Sequence, residues 1–220
     1  MHTRISILIL IVGFMFDGTP APSLCQEMAK KSELDNRVEA FLSSNAGTWR
    51  DLNIPESDGK VLYDIIVKHR YTRALEIGTS TGLSGIWIAW ALSKTGGRLV
   101  TIEIDKGRHS QAVDNFKRAG LSEYIDAHLG DAHTIVPELE RPFDFVFSDA
   151  DKEWYPQYLI ALMPKLTVGG CFTAHNVLNC RNLQGIQDFL DTLAKTPNMQ
   201  TTIDRSSDTG ISISYKTKEK

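Results

Sequence analysis

The chain has 220 residues, 42% of them apolar, with 24 Lys and Arg against 27 Asp and Glu and a net charge of -3. That length suits one domain with one sizeable core. The near-neutral balance, with basic residues scattered rather than striped, argues against a phosphate-binding surface and so against a nucleic-acid partner.

Residues 1–25 differ from the rest. Arg4 precedes Ile5 to Phe16, twelve residues without charge, and a small-residue tail runs from Asp17 to Cys25. A charged start, an apolar middle too short to span a bilayer comfortably and such a tail are the pattern of a secretory signal, with cleavage expected after Ser23 or Cys25. An uncleaved membrane anchor or a buried N-terminal helix is the alternative. Residues 26–220 then form a single domain, expected in the periplasm, secreted, or tethered to a membrane. The three cysteines, Cys25, Cys171 and Cys180, do not settle the compartment.

Residues 27–70 read as leading helices. From Glu27 to Ser44, Met28, Leu34, Val38, Phe41 and Leu42 recur at helical spacing. Gly47 to Pro55 breaks the pattern, and Trp49 to Pro55 within it is a candidate lid or a plain connector. Ser57 or Asp58 is placed to cap a second helix, with Val61, Leu62, Ile65 and Ile66 on one face, ending near His69 and Arg70.

Residues 71–215 carry the alternation of a sheet with crossover helices. From Arg73 to Asp105 the sequence runs RALEIGTSTGLSGIWIAWALSKTGGRLVTIEID: a short apolar strand, a glycine turn, an almost wholly apolar helix and a second strand ending in Glu103. Such a turn lies at the carboxyl edge of a parallel sheet, where glycines let a ligand approach the backbone and a helix N-terminus offers free N–H groups. A carboxylate at Glu103 is placed to accept both hydroxyls of a ribose. The turn is not the G-x-G-x-x-G of dinucleotide sites, because Gly78 is followed by Thr79, Ser80, Thr81 and Gly82. No tyrosine has a lysine four residues later, so the short-chain dehydrogenase pair is missing too. Glu76, just before the turn, would repel a diphosphate and suit a cationic ligand such as a sulfonium.

Further elements follow without a gap. Lys106 to Ala119 reads as an amphipathic helix stopped by Gly120, and Ile125 to Leu129 as a third strand followed by Gly130-Asp131-Ala132. A helix from about His133 to Leu139 leads to a fourth, nearly unbroken apolar strand at Phe143 to Ser148. A helix at Trp154 to Met163, a strand at Cys171 to Ala174 and a helix around Leu183 to Ala194 come next. The last strands, Gln200 to Asp204 and Ile211 to Tyr215, are joined through Asp208-Thr209-Gly210 as a hairpin. The predicted fold is a doubly wound α/β domain of seven strands, mostly parallel, with an antiparallel edge strand at its end.

Residues just past the strand ends should hold the chemistry. Asp149-Ala150-Asp151-Lys152 follows strand four and His175-Asn176 follows strand five. Asp149, His175 and Asn176 are together a candidate divalent-cation set, with Lys152 nearby as a base. Trp154, Tyr155 and Tyr158 are candidates to wall an aromatic acceptor.

The glycine loop with its acidic second strand resembles class I S-adenosylmethionine-dependent methyltransferases. LEIGTSTG, TIEID, GDA, FVFSDADKEWY and AHNV, in that order, resemble the metal-dependent O-methyltransferases of the catechol and caffeoyl-coenzyme A type. The resemblance implies S-adenosyl-L-methionine as cofactor, bound by Glu76, Gly78, Ser80, Gly82, Ser84, Glu103, Asp131, Ala132 and Asp149. It further implies that Asp149 binds a divalent metal (magnesium, manganese or another), that Lys152 lies by the acceptor hydroxyl, that a catechol or other phenol is the small-molecule acceptor, and that the chain is a homodimer. One departure stands out: the family carries Asp-Asn after strand five where this chain has His175-Asn176. An imidazole in place of a carboxylate favours manganese, iron or zinc over magnesium, or abolishes metal dependence. Export would also separate such an enzyme from a cofactor made in the cytosol. A non-catalytic binding module on the same fold is the alternative, ahead of a nicotinamide-dependent oxidoreductase.

Overall fold

The structure, a computed structural model, describes residues 24–140 and 142–218, with side chains in the first helix from Glu33 onward. The signal-like segment therefore lies outside the described residues, apart from Leu24 and Cys25 at the start of α1 (Leu24–Ser44). Among the described residues no helix is long and apolar enough to cross a membrane.

α1 and α2 (Glu56–His69) lead into β1 (Arg73–Ile77), α3 (Leu83–Thr95), β2 (Arg98–Glu103), α4 (Lys106–Ala119), β3 (Ile125–Leu129), α5 (Ala132–Glu138) and β4 (Phe143–Ser148). α6 (Tyr155–Leu162), β5 (Leu166–His175), α7 (Gln184–Lys195), β6 (Met199–Asp204) and β7 (Ile211–Lys216) complete the chain. The seven strands form one sheet in the order β3-β2-β1-β4-β5-β7-β6. The first five strands run parallel, and β7 is antiparallel to both its neighbours. The last strand in the chain, β7, is the antiparallel one, as the sequence predicts, but it is inserted between β5 and β6 and not at the edge. A tight β6–β7 hairpin that also pairs with β5 has to take this place, because β7 reaches Cys171 to His175 directly.

Period-two alternation distributes the core to both faces of the sheet. Ala74, Leu99, Phe145 and Cys171 pack with Leu62, Ile66, Ile86 and Phe116 of α2, α3 and α4. Their neighbours Leu75, Val146 and Phe172 point the other way, onto Val136, Leu159 and Phe189 of α5, α6 and α7. Val38 and Phe41 bring α1 onto the first layer. β5 starts at Leu166, five positions before the expected Cys171, because Phe143 pairs with Leu166 before an irregularity shifts the register. The Gly169-Gly170 pair hid this early stretch, since glycines weaken any strand signal. Cys171 is buried and free, and burial pushes its thiol up to about 12, so it is inert packing.

Strand order reverses at β1, whose neighbours are β2 and β4. Gly78 N–H donates to Ile102 O (3.0 Å) on one side and Asp149 N–H donates to Ile77 O (2.8 Å) on the other. The loops after β1 and β4 consequently part over the carboxyl edge, which opens a crevice there.

Candidate active site

A cavity of about 730 Å³ occupies this crevice. Gly78 and Ser80 after β1, Glu103 and Ile104 at β2, Gly130 to His133 after β3, Asp149 to Lys152 after β4, and His175 with Asn176 after β5 line it. Leu52, Asn53 and Pro55 close one side.

The β1 loop is shaped by contacts that leave no room for side chains. Gly78 has φ +93°, and a Cβ there would stand 2.8 Å from Asp149 O. Ser80 is also left-handed, at φ 49°, and its N–H donates to Glu103 Oε2 at 2.7 Å. Glu103 Oε1 accepts from Asp105 N–H at 2.9 Å, so the carboxylate is held in place at the cavity wall. Asp131 caps α5 by accepting from His133 N–H (2.9 Å). The His133 ring lies stacked on Trp154, centroids 3.8 Å apart, between the carboxylates of Asp131 and Asp151, each 3.6 Å from one of its nitrogens.

Three expected cofactor residues stand behind the loop rather than on the cavity wall. Glu76 is fully buried, and its Oε2 accepts from Thr101 Oγ1 at 2.6 Å. Burial pushes its carboxyl up to about 8, against the bonds from Ser84 and Thr101 that favour the anion. Through Thr101 and Ser84 it braces the β1 loop from beneath. Ser84 serves Glu76, and Gly82 makes room for the Phe116 ring, which a Cβ would meet at 2.7 Å. Gly78, Ser80, Glu103, Asp131, Ala132 and Asp149 do line the cavity.

The segment read as a lid or connector is tied onto the cofactor loop. Asp51 takes a two-pronged bond from Arg108, at 2.8 and 2.9 Å, and its carbonyl accepts from Ser80 Oγ. Asn53 Nδ2 donates to Thr81 Oγ1 at 2.8 Å. Leu52, exposed and left-handed at φ 51°, stands at the cavity rim. Sequence reasoning passed over Arg108 and Asp51, whose only signal is an acid and a base 57 residues apart.

At the β4–β5 end, Asp149, Lys152 and His175 converge as expected. Lys152 Nζ donates to Asp149 Oδ1 at 2.7 Å and to Ala150 O at 3.1 Å. His175 Nδ1 is 3.3 Å from Asp149 Oδ2, and its Nε2 is 2.7 Å from Asp58 Oδ2. Asp58, a candidate cap in the sequence, is instead a fully buried member of the site. Ser207 and Thr209 on the β6–β7 turn also donate to its Oδ2, at 2.9 and 2.8 Å. Burial favours the neutral acid at Asp58, but the bonds from His175, Ser207 and Thr209 outweigh it and hold the carboxyl below its ordinary range. Burial also disfavours a charged His175, and the bonds to Asp149 and Asp58 overcome this and push it up to about 9.

Asp149, His175 and Asn176, the expected metal set, lie together on the cavity wall. Asp149 Oδ1 accepts from Lys152 Nζ and His175 Nε2 bonds Asp58 Oδ2, while the buried His175 Nδ1 has no hydrogen-bond partner and lies 3.3 Å from Asp149 Oδ2. Asn176, left-handed at φ 60°, donates from its amide to Asn179 Oδ1 at 3.2 Å. Among the described residues no group of three or more His, Cys, Asp or Glu is arranged to hold a metal.

The aromatic trio divides. Tyr155 is core: its hydroxyl donates to Ser148 O (2.9 Å), and its ring packs edge-on against Phe189. Tyr158 lines the cavity and Trp154 stacks on His133, so both belong to the Asp131 end rather than to Lys152.

A sequence profile described as O-methyltransferase matches residues 26–205. The chain is similar to a catechol O-methyltransferase of Niastella koreensis, 35% identical over 58% of this chain and 59% of that one, and so spans less than two thirds of that relative. It is 32% identical to a catechol O-methyltransferase of Mycobacterium tuberculosis over 73% of each. Among solved structures it resembles an O-methyltransferase of Bacillus cereus in complex with S-adenosylhomocysteine, with a TM-score of 0.72, 26% identity and coverage of 86% of this chain and 97% of that one. It also resembles TomG of Streptomyces achromogenes, crystallised with S-adenosylmethionine, with a TM-score of 0.73, 28% identity and coverage of 87% and 96%.

Proposed function

We infer the activity of this chain from one premise: it belongs to the O-methyltransferase family. It transfers the methyl group of S-adenosylmethionine to a hydroxyl of a small phenolic, catechol-like acceptor. The observation that carries this is the cavity at the β1 switch point, which runs from the fixed Glu103 carboxylate to the Asp149–Lys152 pair. Two catechol O-methyltransferases among the relatives support the acceptor class, and the cofactor-bound neighbours support the cofactor.

In this mechanism Glu103 accepts the ribose hydroxyls, while Asp131, Ala132 and the His133–Trp154 stack border the adenine. The methionine end follows the β1 loop toward Gly78, whose missing Cβ lets that loop close against the Asp149 backbone at the cavity wall. Lys152 takes or relays the proton of the acceptor hydroxyl. An oxygen lone pair forms the new O–C bond, the C–S bond breaks with its electrons going to sulfur, and the sulfonium becomes a neutral thioether. Leu52 and the strapped 50–55 segment keep water from the reacting atoms. The signal-like N-terminus leads us to propose export or anchoring as well, which N-terminal sequencing of the secreted or membrane fraction tests.

Calorimetric titration of the full chain with S-adenosylhomocysteine tests the activity first. Micromolar binding followed by methyl transfer to a catechol supports it, and absence of binding overturns it.

A further inference from the structure

Resting on the methyltransferase reading above, we propose that Arg108 is a positioning residue for the cofactor: by gripping Asp51 it closes a ring of hydrogen bonds at the ribose end of the cavity, and the opening of that grip sets how fast the cofactor leaves. Each link of the ring is present. Arg108 donates from Nε and Nη2 to the two carboxylate oxygens of Asp51, at 2.8 and 2.9 Å. The Asp51 carbonyl accepts from Ser80 Oγ, and Ser80 N–H donates to Glu103 Oε2 at 2.7 Å. Glu103 Oε1 accepts from Asp105 N–H at 2.9 Å, and Asp105 Oδ1 accepts from Arg108 N–H at 2.8 Å, which returns the ring to its start. Both oxygens of the Glu103 carboxylate are thus held by groups that Arg108 holds in turn.

The segment that Arg108 grips has little else to fasten it. Among the described residues, 49–54 make no backbone–backbone hydrogen bond, so side chains carry the attachment. Trp49 packs edge-on against Phe41 at one end and Ile54 is buried at the other, while Leu52 between them is 71% exposed and stands at the cavity rim. Asn53 adds only neutral bonds, donating to Thr81 Oγ1 at 2.8 Å and accepting from Leu83 N–H at 3.3 Å. A second hollow of about 310 Å³, bounded by Thr48, Trp49, Asp51, Thr81 and Asn115, also borders the segment, so close packing does not pin it there. Two apolar anchors with a charged catch between them make a strap that moves when the catch opens.

Salt can reach this catch. The side chains of Arg108 and Asp51 are 34% and 46% exposed, so counterions screen their attraction as they would not screen a buried pair. The two-pronged geometry gives it a direction and strength that a single exposed contact lacks. Release of the demethylated cofactor therefore speeds up as salt rises, and the effect passes through these two side chains.

The test is the release of radiolabelled S-adenosylhomocysteine from the full chain into an unlabelled excess, at low salt and at about 0.5 M sodium chloride, where screening is nearly complete beyond a few ångströms. Asp51→Asn, Arg108→Gln and the double variant are measured beside the wild type. Wild-type release is expected to rise with salt. Each single variant should release about two- to tenfold faster at low salt and lose the salt response, and the double variant should be no faster than either. A merely structural pair would lower the melting temperature and leave the salt response in place, which overturns the proposal. So does an Asp51→Asn chain that releases like the wild type while Arg108→Gln is fast, because Arg108 then acts on the cofactor directly, and so do single effects that multiply in the double variant. Should the variants not fold, the wild type decides alone. Tight binding with a release rate independent of salt overturns the catch and leaves the methyltransferase reading standing; no binding of S-adenosylhomocysteine at all overturns both.

Discussion

His175 Nε2 lies 2.7 Å from Asp58 Oδ2, joining the end of β5 to the first turn of α2 across 117 residues. Both side chains are removed from water, so each supplies the charge that the other needs. Asp58→Asn leaves a buried imidazole facing an amide. We expect about 3 kcal/mol of lost stability from breaking such a buried pair, read as a lower urea midpoint with an unchanged slope. A midpoint within error of the wild type would show that the pair contributes nothing net.

Stability should fall as the solution becomes alkaline. Glu76 is raised from 4.5 to about 8 and His175 from 6.5 to about 9 in the folded chain. Both groups hold their protons more tightly when folded, so their contribution is complete below the unfolded values and is lost as pH rises through the folded ones. Glu76→Gln keeps an acceptor for Thr101 and removes the ionisation. Its urea midpoint should drop less than that of the wild type between pH 5 and pH 9, by an amount worth on the order of a few kcal/mol. Parallel curves for the two proteins would place the charged form of Glu76 in the fold at neutral pH.

Glu103 holds Ser80 and Asp105 and faces the cavity. Glu103→Ala removes the proposed ribose acceptor together with the brace of the loop. Affinity for S-adenosylhomocysteine should drop about ten- to a hundredfold, as expected for losing hydrogen bonds to a charged group. Calorimetry measures it directly, and an unchanged affinity would locate the cofactor elsewhere.

Gly78→Ala puts a methyl group 2.8 Å from Asp149 O at a left-handed backbone position. The β1 and β4 loops must separate, at a cost of about 1–3 kcal/mol of strain, and cofactor affinity should fall with stability. Thermal melts with and without S-adenosylhomocysteine separate the two losses, and a variant with wild-type melting and binding would contradict the close approach.

Lys152→Met keeps the length of the side chain and removes its proton chemistry. We expect kcat to fall about a hundred- to ten-thousandfold, the usual contribution of a general base, with cofactor affinity nearly unchanged. Equal losses in both would make Lys152 a structural residue of the cofactor loop.

Much of this molecule was legible in the chain itself. Leu75, Ile77 and Val146 sit on doubly covered strands and so read as mostly apolar runs, interrupted only by Glu76 in β1 and Asp144 near the start of β4. Gly78, Glu103, Asp131 and Asp149 fall just past strand ends, where a parallel sheet opens to ligands. Strand periodicity and turn chemistry are local properties, and five motifs in order carried the family. The same local logic does not say which side of a loop a residue faces, and Glu76, Gly82 and Ser84 lie behind the β1 loop and off the cavity wall.

What only the tertiary structure decided is who meets whom. Asp58 looked like a helix cap, Thr209 like a turn residue and His175 like a metal ligand. The fold folds α2, the β6–β7 turn and the end of β5 onto one point, where they become partners. No local pattern encodes such a meeting, because charges buried together are selected by the space they share and not by their separation in sequence. Sequence alone determined a doubly wound sheet with a cofactor crevice at β1; packing determined that Lys152 pairs Asp149 and that His175 pairs Asp58, since a buried carboxylate must be paired.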